Sequence, residues 1–239
     1  MESRITQGAA ARSPLRYGVV VGPFYLALGL IQAWVRDGFD LSRHALSHLA
    51  NGPGGWVQTA NFALSGLMVV AAAAGFARAL RPRGRAASWL LGAFGVSMIV
   101  AAAFPADPVD GFPVGTPDGM PTTVSTTGLV HFMAGGLGFL ALAASCIATA
   151  FAVRRRGAAP AVAWLSLLAG FAVIGGFVGP MVIPGVPGGV VGIWFAVVAG
   201  WTWLALMSVH LSRPADPSAD DLCRSAGSTT SFSGQGGRR

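Results

Sequence analysis

Residues 40–55, DLSRHALSHLANGPGG, carry two histidines four positions apart with a serine between them. On a helix, His44 and His48 would stand one turn apart on one face, close enough to share a ligand. Ser47 would sit one turn beyond His44. Two more groups join them by type: Asp107 follows an apolar run in AAFPADP, and His131 opens another in TTGLVHFMAGG. His44, His48, His131 and Asp107 form a donor set that would suit zinc with a bound water. The H-x-x-x-H spacing lacks the glutamate of the metalloprotease motif. Ser47, Asp107 and His131 also supply the three residue types of a catalytic triad, without a G-x-S-x-G turn around the serine. A third reading is structural. In it His44 and His48 are solvated at an interface, Asp107 caps a helix or turn, and His131 hydrogen-bonds within a bundle. His131 stands in an otherwise apolar segment, where an ionisable group is a functional candidate by default.

The elements that must hold these groups are membrane helices. The 239 residues are 53% hydrophobic and only 10% charged, against about 25% charged in soluble domains. Six apolar runs are long enough to span a bilayer, at 17–35, 56–77, 86–104, 127–153, 161–183 and 190–211. None holds an Asp, Glu, Lys or Arg. The fold class expected is all-α: a polytopic six-helix transmembrane bundle over 16–212. Residues 1–15 read as a disordered cytoplasmic N-terminus without the apolar core of a signal peptide, so the first span reads as a retained signal anchor. Residues 213–239, polar and rich in Gly and Ser, read as a disordered cytoplasmic tail. A Gly179-Pro180 step would unwind the end of the fifth span.

The basic residues orient the bundle. All 16 are arginine. They cluster before the first span, between the second and third, between the fourth and fifth, and after the sixth. Only Arg36 and Arg43 lie in the opposite loops. The positive-inside rule therefore puts both termini in the cytoplasm, in the cytoplasmic (inner) membrane of a cell. The net charge of +7 sets topology, and no aromatic-interleaved basic patch points to nucleic acid. The outer loops, 36–55 and 105–126, hold Asp37, Asp40, Asp107, Asp110 and Asp118. Within the first, Asp40 would cap a short amphipathic helix over 41–50 lying on the outer surface, stopped by Asn51-Gly52-Pro53. Leu41, Ala45, Leu46, Leu49 and Ala50 share one half of its wheel. Arg43, His44, Ser47 and His48 share the other.

Other positions read as packing. Asn61 and Ser65, four apart on the second span, would hydrogen-bond between helices. Trp56, Trp89, Trp194, Trp201 and Trp203 read as interfacial aromatics. Gly66, Gly135, Gly136, Gly138, Gly175, Gly176 and Gly179 read as close helix contacts. Cys146 lies in a span and Cys223 in the tail, so no disulfide is expected. His131 and His210 fall at opposite faces, which argues against bis-histidine haem ligation.

The stretches ALSHLANGPGGW, AAFPADP and TTGLVHFMAGG together resemble the domain-of-unknown-function 998 family of six-helix membrane proteins, over roughly 17–211. The positions that match its pattern are Ser47 with Leu49, Phe104-Pro105 with Asp107, and His131. A more distant likeness is to the CREST superfamily of membrane hydrolases. By that resemblance a Ser, an Asp and three His would surround zinc. This chain departs from it with six spans rather than seven and with H-x-x-x-H in an early loop.

Two functions follow as expectations. One is a metal-assisted hydrolase of a lipid-like substrate, with His131 as ligand or base, Asp107 orienting, and Ser47 positioning water or substrate. The other is a non-enzymatic transporter or a lipid- or partner-binding membrane scaffold. Both expect membrane lipids as partners and a small-molecule or lipid ligand at a polar outer mouth.

Overall fold

The computed structural model describes residues 2–182 and 189–213, with side chains from 14 to 179 and from 189 to 213. Six helices follow one another: α1 (Glu2–Val35), α2 (Gly55–Ala79), α3 (Arg85–Ala103), α4 (Thr126–Arg154), α5 (Pro160–Val182) and α6 (Gly189–Ser212). Among the described residues there is no strand element. Each helix contains a stretch long and apolar enough to cross a membrane, in α1 Pro14–Val35 and in α5 Pro160–Gly179. The chain is a multi-pass helical membrane protein, and its membrane-crossing stretches match the six expected runs to within about a turn.

Two details differ from expectation. The backbone is helical from Glu2, where an irregular segment was expected over 1–15. The ITQGAAAR stretch there contains good helix formers. The α5 backbone also stays helical through Gly179 and Pro180. The expected tail beyond Arg213 and the last outer turn at 183–188 lie outside the described residues.

The helices stand in a ring in chain order, each packed on its sequence neighbours, and α1 closes the ring against α6. Small residues set the tightest crossings. A Cβ on Gly66 of α2 would come within 2.6 Å of the Gly95 carbonyl of α3, and one on Gly95 within 2.8 Å of the Gly66 carbonyl. Between α1 and α2 a polar ladder crosses the apolar interior. Gln32 Nε2 donates to Gln58 Oε1 at 2.8 Å. Asn61 Nδ2 donates to Gln58 Oε1 at 3.2 Å and to the Tyr25 carbonyl at 3.1 Å. Ser65 Oγ donates to Asn61 Oδ1 at 3.3 Å. Asn61 thus joins α2 to α1 as expected, whereas the Ser65 bond stays within α2 and supports Asn61. Trp56 and Trp89 are exposed toward lipid, but Trp201 and Trp203 are buried inside the ring. They stand on different sides of α6 and are covered by different neighbours: Trp201 packs on Tyr25 and Phe94, Trp203 packs on Phe76, and the Trp203 indole donates to Ser166 Oγ at 3.1 Å.

One end of the bundle carries the arginine loops. The other, here the cap end, carries two folded loops, 36–54 and 104–125. The expected amphipathic helix over 41–50 is replaced by a turn and a short 3₁₀ helix, Leu46–Ala50. The reason is local competition for hydrogen bonds. Asp40 Oδ1 accepts from the Ser42 amide and hydroxyl, both at 2.7 Å, so Asp40 closes a turn instead of capping a helix. The Asp40 carbonyl accepts from the Arg43 and His44 amides, and Ala45 is extended. Leu46 and Leu49 then plug downward into the bundle.

Candidate functional site

The cap loops are clasped to each other by residues the sequence reading placed on a solvated face. His44 is 1% exposed. It sits between the rings of Phe39 and Phe112, 5.2 and 5.6 Å away by centroids. Its Nδ1 accepts from the Asp40 amide at 2.9 Å, so Nε2 carries the hydrogen and donates to the Asp110 carbonyl at 3.0 Å. Arg43 grips the Asp110 carboxylate with two parallel bonds, Nε to Oδ2 at 2.9 Å and Nη2 to Oδ1 at 2.6 Å, and also reaches Asp118 at 3.4 Å. This fork holds the Asp110 carboxyl well below the usual carboxylate range. Arg36 donates to the carbonyls of Leu49 and Asn51 and lies over the Phe112 ring. Asn51 Nδ2 donates to the Ala106 carbonyl at 3.0 Å.

Asp107 and His131 fasten α3 to α4. Asp107 Oδ2 accepts from the Ser125 amide at 3.0 Å. Ser125 is the N-cap of α4, and its hydroxyl accepts from the Gly128 amide at 2.9 Å. A carboxylate here faces the positive end of the helix dipole. A Cβ on Gly128 would collide with that carboxylate, so glycine makes room for it. His131 Nδ1 lies 2.9 Å from the carbonyl of Phe104, the residue after α3. A carbonyl only accepts, so Nδ1 carries the hydrogen and the lone pair of the neutral ring is on Nε2.

These groups surround the mouth of a cavity of about 930 Å³ inside the cap half of the ring. Ser47, His48, Asp107 and His131 all line it, and His44 does not. The Ser47 hydroxyl makes no hydrogen bond among the described residues. His48 is half-buried, and its Nδ1 is buried without a partner. Burial, then the neighbouring His44 and His131, push the His48 imidazole down to about 4, so it is neutral near neutral pH. Below the mouth the walls are mostly apolar, with Ser97 among them. They run along α4 from Gly128 to Leu142, roughly 20 Å at about 1.5 Å per residue. The floor is aromatic: the Trp201 ring lies 5.4 Å from Tyr25 and 5.7 Å from Phe94, and Phe139 stacks on Phe177 at 4.7 Å. Gly138 packs tightly on Ser97, and Gly66 and Gly176 are close contacts as expected. Gly135 and Gly136 instead border the cavity, where a Cβ on Gly135 would meet nothing within 4 Å.

The four-ligand zinc set is therefore not assembled. His44 spends both ring nitrogens on the loops, and Asp107 is turned to the α4 terminus. Among the described residues no three His, Cys, Asp or Glu side chains converge as a ligand set. The triad geometry is absent too, since the partner of His131 Nδ1 is the Phe104 carbonyl and not Asp107. Sequence reasoning missed Arg43, Asp110, Gly128 and the aromatic floor. The one signal available was charge: Arg36 and Arg43 are the two bases among five cap-end acids, and a base so placed invites a carboxylate partner.

A ring of six membrane helices around an apolar cavity with a polar mouth defines a multi-pass membrane protein with an internal, ligand-sized chamber. The family model "Protein of unknown function (DUF998)" matches residues 19–210, and the chain belongs to that family. No curated protein and no solved structure matches the chain.

Proposed function

We propose that this protein holds an amphiphilic, lipid-like molecule in the cap-end cavity, with the apolar part on the Tyr25–Phe94–Trp201 floor and the polar end at Ser47, His48, Asp107 and His131. The observation that carries this reading is the segregation of the cavity wall. Its volume of about 930 Å³ is at the upper end of small-molecule pockets, about 300–1,000 Å³. Its charged and imidazole groups stand at one end, and aromatic and aliphatic side chains make up most of the other, with Ser97 and the Tyr25 phenol among them. The arginine distribution orients the cap outward, with both termini cytoplasmic and the mouth at the outer leaflet of the cytoplasmic membrane. The protein then serves as a lipid-binding scaffold or as the holding station of a transporter.

The test is native mass spectrometry of protein purified in nanodiscs, with the bound molecule extracted and weighed. A Gly135→Trp variant fills open space within the chamber and should fold normally yet lose most of the bound species. Equal retention by wild type and variant would refute the reading.

A second reading, hydrolysis of that amphiphile, is favoured by one observation: Ser47 and two imidazoles, His48 and His131, share the mouth. It requires turnover of a lipid ester or amide by purified protein that His131→Ala abolishes. Wild-type turnover in His131→Ala, without stoichiometric metal, would remove it.

A further inference from the structure

The mouth can be read for the chemistry of the polar end it receives, an inference that rests on the cavity reading above. Three observations bear on it. First, positive charge is already spent. Arg43 is the one arginine among the described lining residues, and it is bound by the carboxylates of Asp110 and Asp118. Asp107 adds a third carboxylate, with one oxygen on the Ser125 amide. An anionic group entering here would meet more negative than positive charge. Second, His131 presents a lone pair. Its Nδ1–H is committed to the Phe104 carbonyl, so Nε2 of the neutral ring accepts. Third, His48 presents a ring nitrogen still to be satisfied. Its Nδ1 is buried with no partner. In either neutral tautomer the ring has one N–H and one lone pair.

A phosphate or carboxylate offers only acceptors and a negative charge, and it meets Asp107 and the His131 lone pair. An ammonium offers only donors, and the Asp107 carboxylate and the His131 lone pair receive it as they receive a hydroxyl. A hydroxyl both donates and accepts, and Ser47 adds a further hydroxyl that can turn to suit it. We infer that the cavity selects an amphiphile whose polar end donates hydrogen bonds without negative charge, such as a long-chain alcohol or a monoacyl polyol, over its phosphorylated or acidic counterparts.

The experiment compares four probes of one chain length, dodecanol, dodecylamine, dodecanoate and dodecyl phosphate. Each is titrated at neutral pH into the full chain in zwitterionic nanodiscs, with occupancy read by native mass spectrometry and Gly135→Trp as the blocked control. Dodecanol and dodecylamine should each outbind dodecanoate and dodecyl phosphate by about tenfold or more. His48→Phe and His131→Phe should each lower dodecanol occupancy severalfold and flatten the ranking. Ser47→Ala, which leaves every described hydrogen bond in place, gives the same direction should either aromatic replacement fail to fold. An anion binding as well as or better than dodecanol, with Gly135→Trp still blocked, would overturn the preference against negative charge and leave the cavity reading intact. Occupancy by none of the four, or occupancy that Gly135→Trp does not reduce, would overturn the cavity reading and this inference with it.

Discussion

His131 Nδ1 and the Phe104 carbonyl oxygen stand 2.9 Å apart, joining the first turns of α4 to the end of α3. The last carbonyls of a helix have no partner within it, and here an imidazole from the next helix supplies one. One bond thus fixes the ring's tautomer, seals a helix end and aims the other nitrogen edge away from α3.

Replacing His131 by Phe should keep the ring volume but strip that carbonyl of its donor, at a cost of about 1–2 kcal/mol. His131→Gln, which can still donate, should recover part of the loss. Thermal melting in nanodiscs checks the order wild type, Gln, Phe. Equal melting of all three would mean that the bond contributes nothing.

The glycines of α4 should separate into two kinds. Gly128→Ala pushes the Asp107 carboxylate off the α4 terminus and should cost about 1–3 kcal/mol as an overpacked site. Gly135→Leu, set against open space, should leave the melting temperature within a degree or two. A destabilised Gly135→Leu together with a neutral Gly128→Ala would contradict both placements.

Stability should depend on pH through His48. Its imidazole titrates near 4 in the folded protein, below the ordinary value of 6.5, because burial disfavours the charged form. Between these values the unfolded chain binds a proton that the folded chain refuses. Stability is therefore complete above about 6.5 and falls as the pH drops toward 4, by about 3 kcal/mol at most. Melting curves across that window should shift down for wild type and shift much less for His48→Phe. The Asp110 carboxyl, held down by Arg43, loses its contribution only at more acid pH.

The two cap loops should loosen together. Arg43→Ala removes both parallel bonds to Asp110, and Arg43→Lys cannot rebuild the planar fork. Hydrogen exchange over 105–122 should speed up in both variants, while exchange in α2 and α3 stays unchanged. Unaltered exchange in the loop would show that the clasp is ornamental.

The α1–α2 ladder should behave as membrane hydrogen bonds do. Asn61→Ala removes bonds to Tyr25, Gln58 and Ser65 at once and should cost about 1–2 kcal/mol. Ser65→Ala removes one and should cost about 0.6 kcal/mol. Chemical unfolding in mixed micelles measures both.

Much of the fold was legible because lipid imposes a simple demand: six uncharged apolar runs, alternating with arginine-rich and arginine-poor loops, admit few arrangements. Within those runs Asn61 and Ser65 could be paired by spacing alone. The cap was not legible in the same way. A wheel drawn over 41–50 put His44 in solvent, whereas the Asp40–Ser42 bonds break the helix and turn His44 into the loops. The D-x-S pattern was the available warning. The Arg43–Asp110 clasp joins residues far apart in sequence, with only complementary charge to suggest it. The cavity left no linear trace, since Tyr25, Phe94, Gly135 and Trp201 meet only when the ring closes. Ser47, Asp107 and His131 all line the cavity, but Asp107 and His131 have different partners from those a metal or a triad would need.

The central claim is that an amphiphile stands head-up in the cap-end chamber, and a photoreactive alcohol with a diazirine at its chain terminus tests it most directly. After irradiation in nanodiscs, peptide mapping should find the label on the floor residues Tyr25, Phe94 and Trp201, and Gly135→Trp should abolish it there. Label confined to lipid-facing side chains such as Trp34, Trp89 and Trp164, unchanged by Gly135→Trp, would contradict the account.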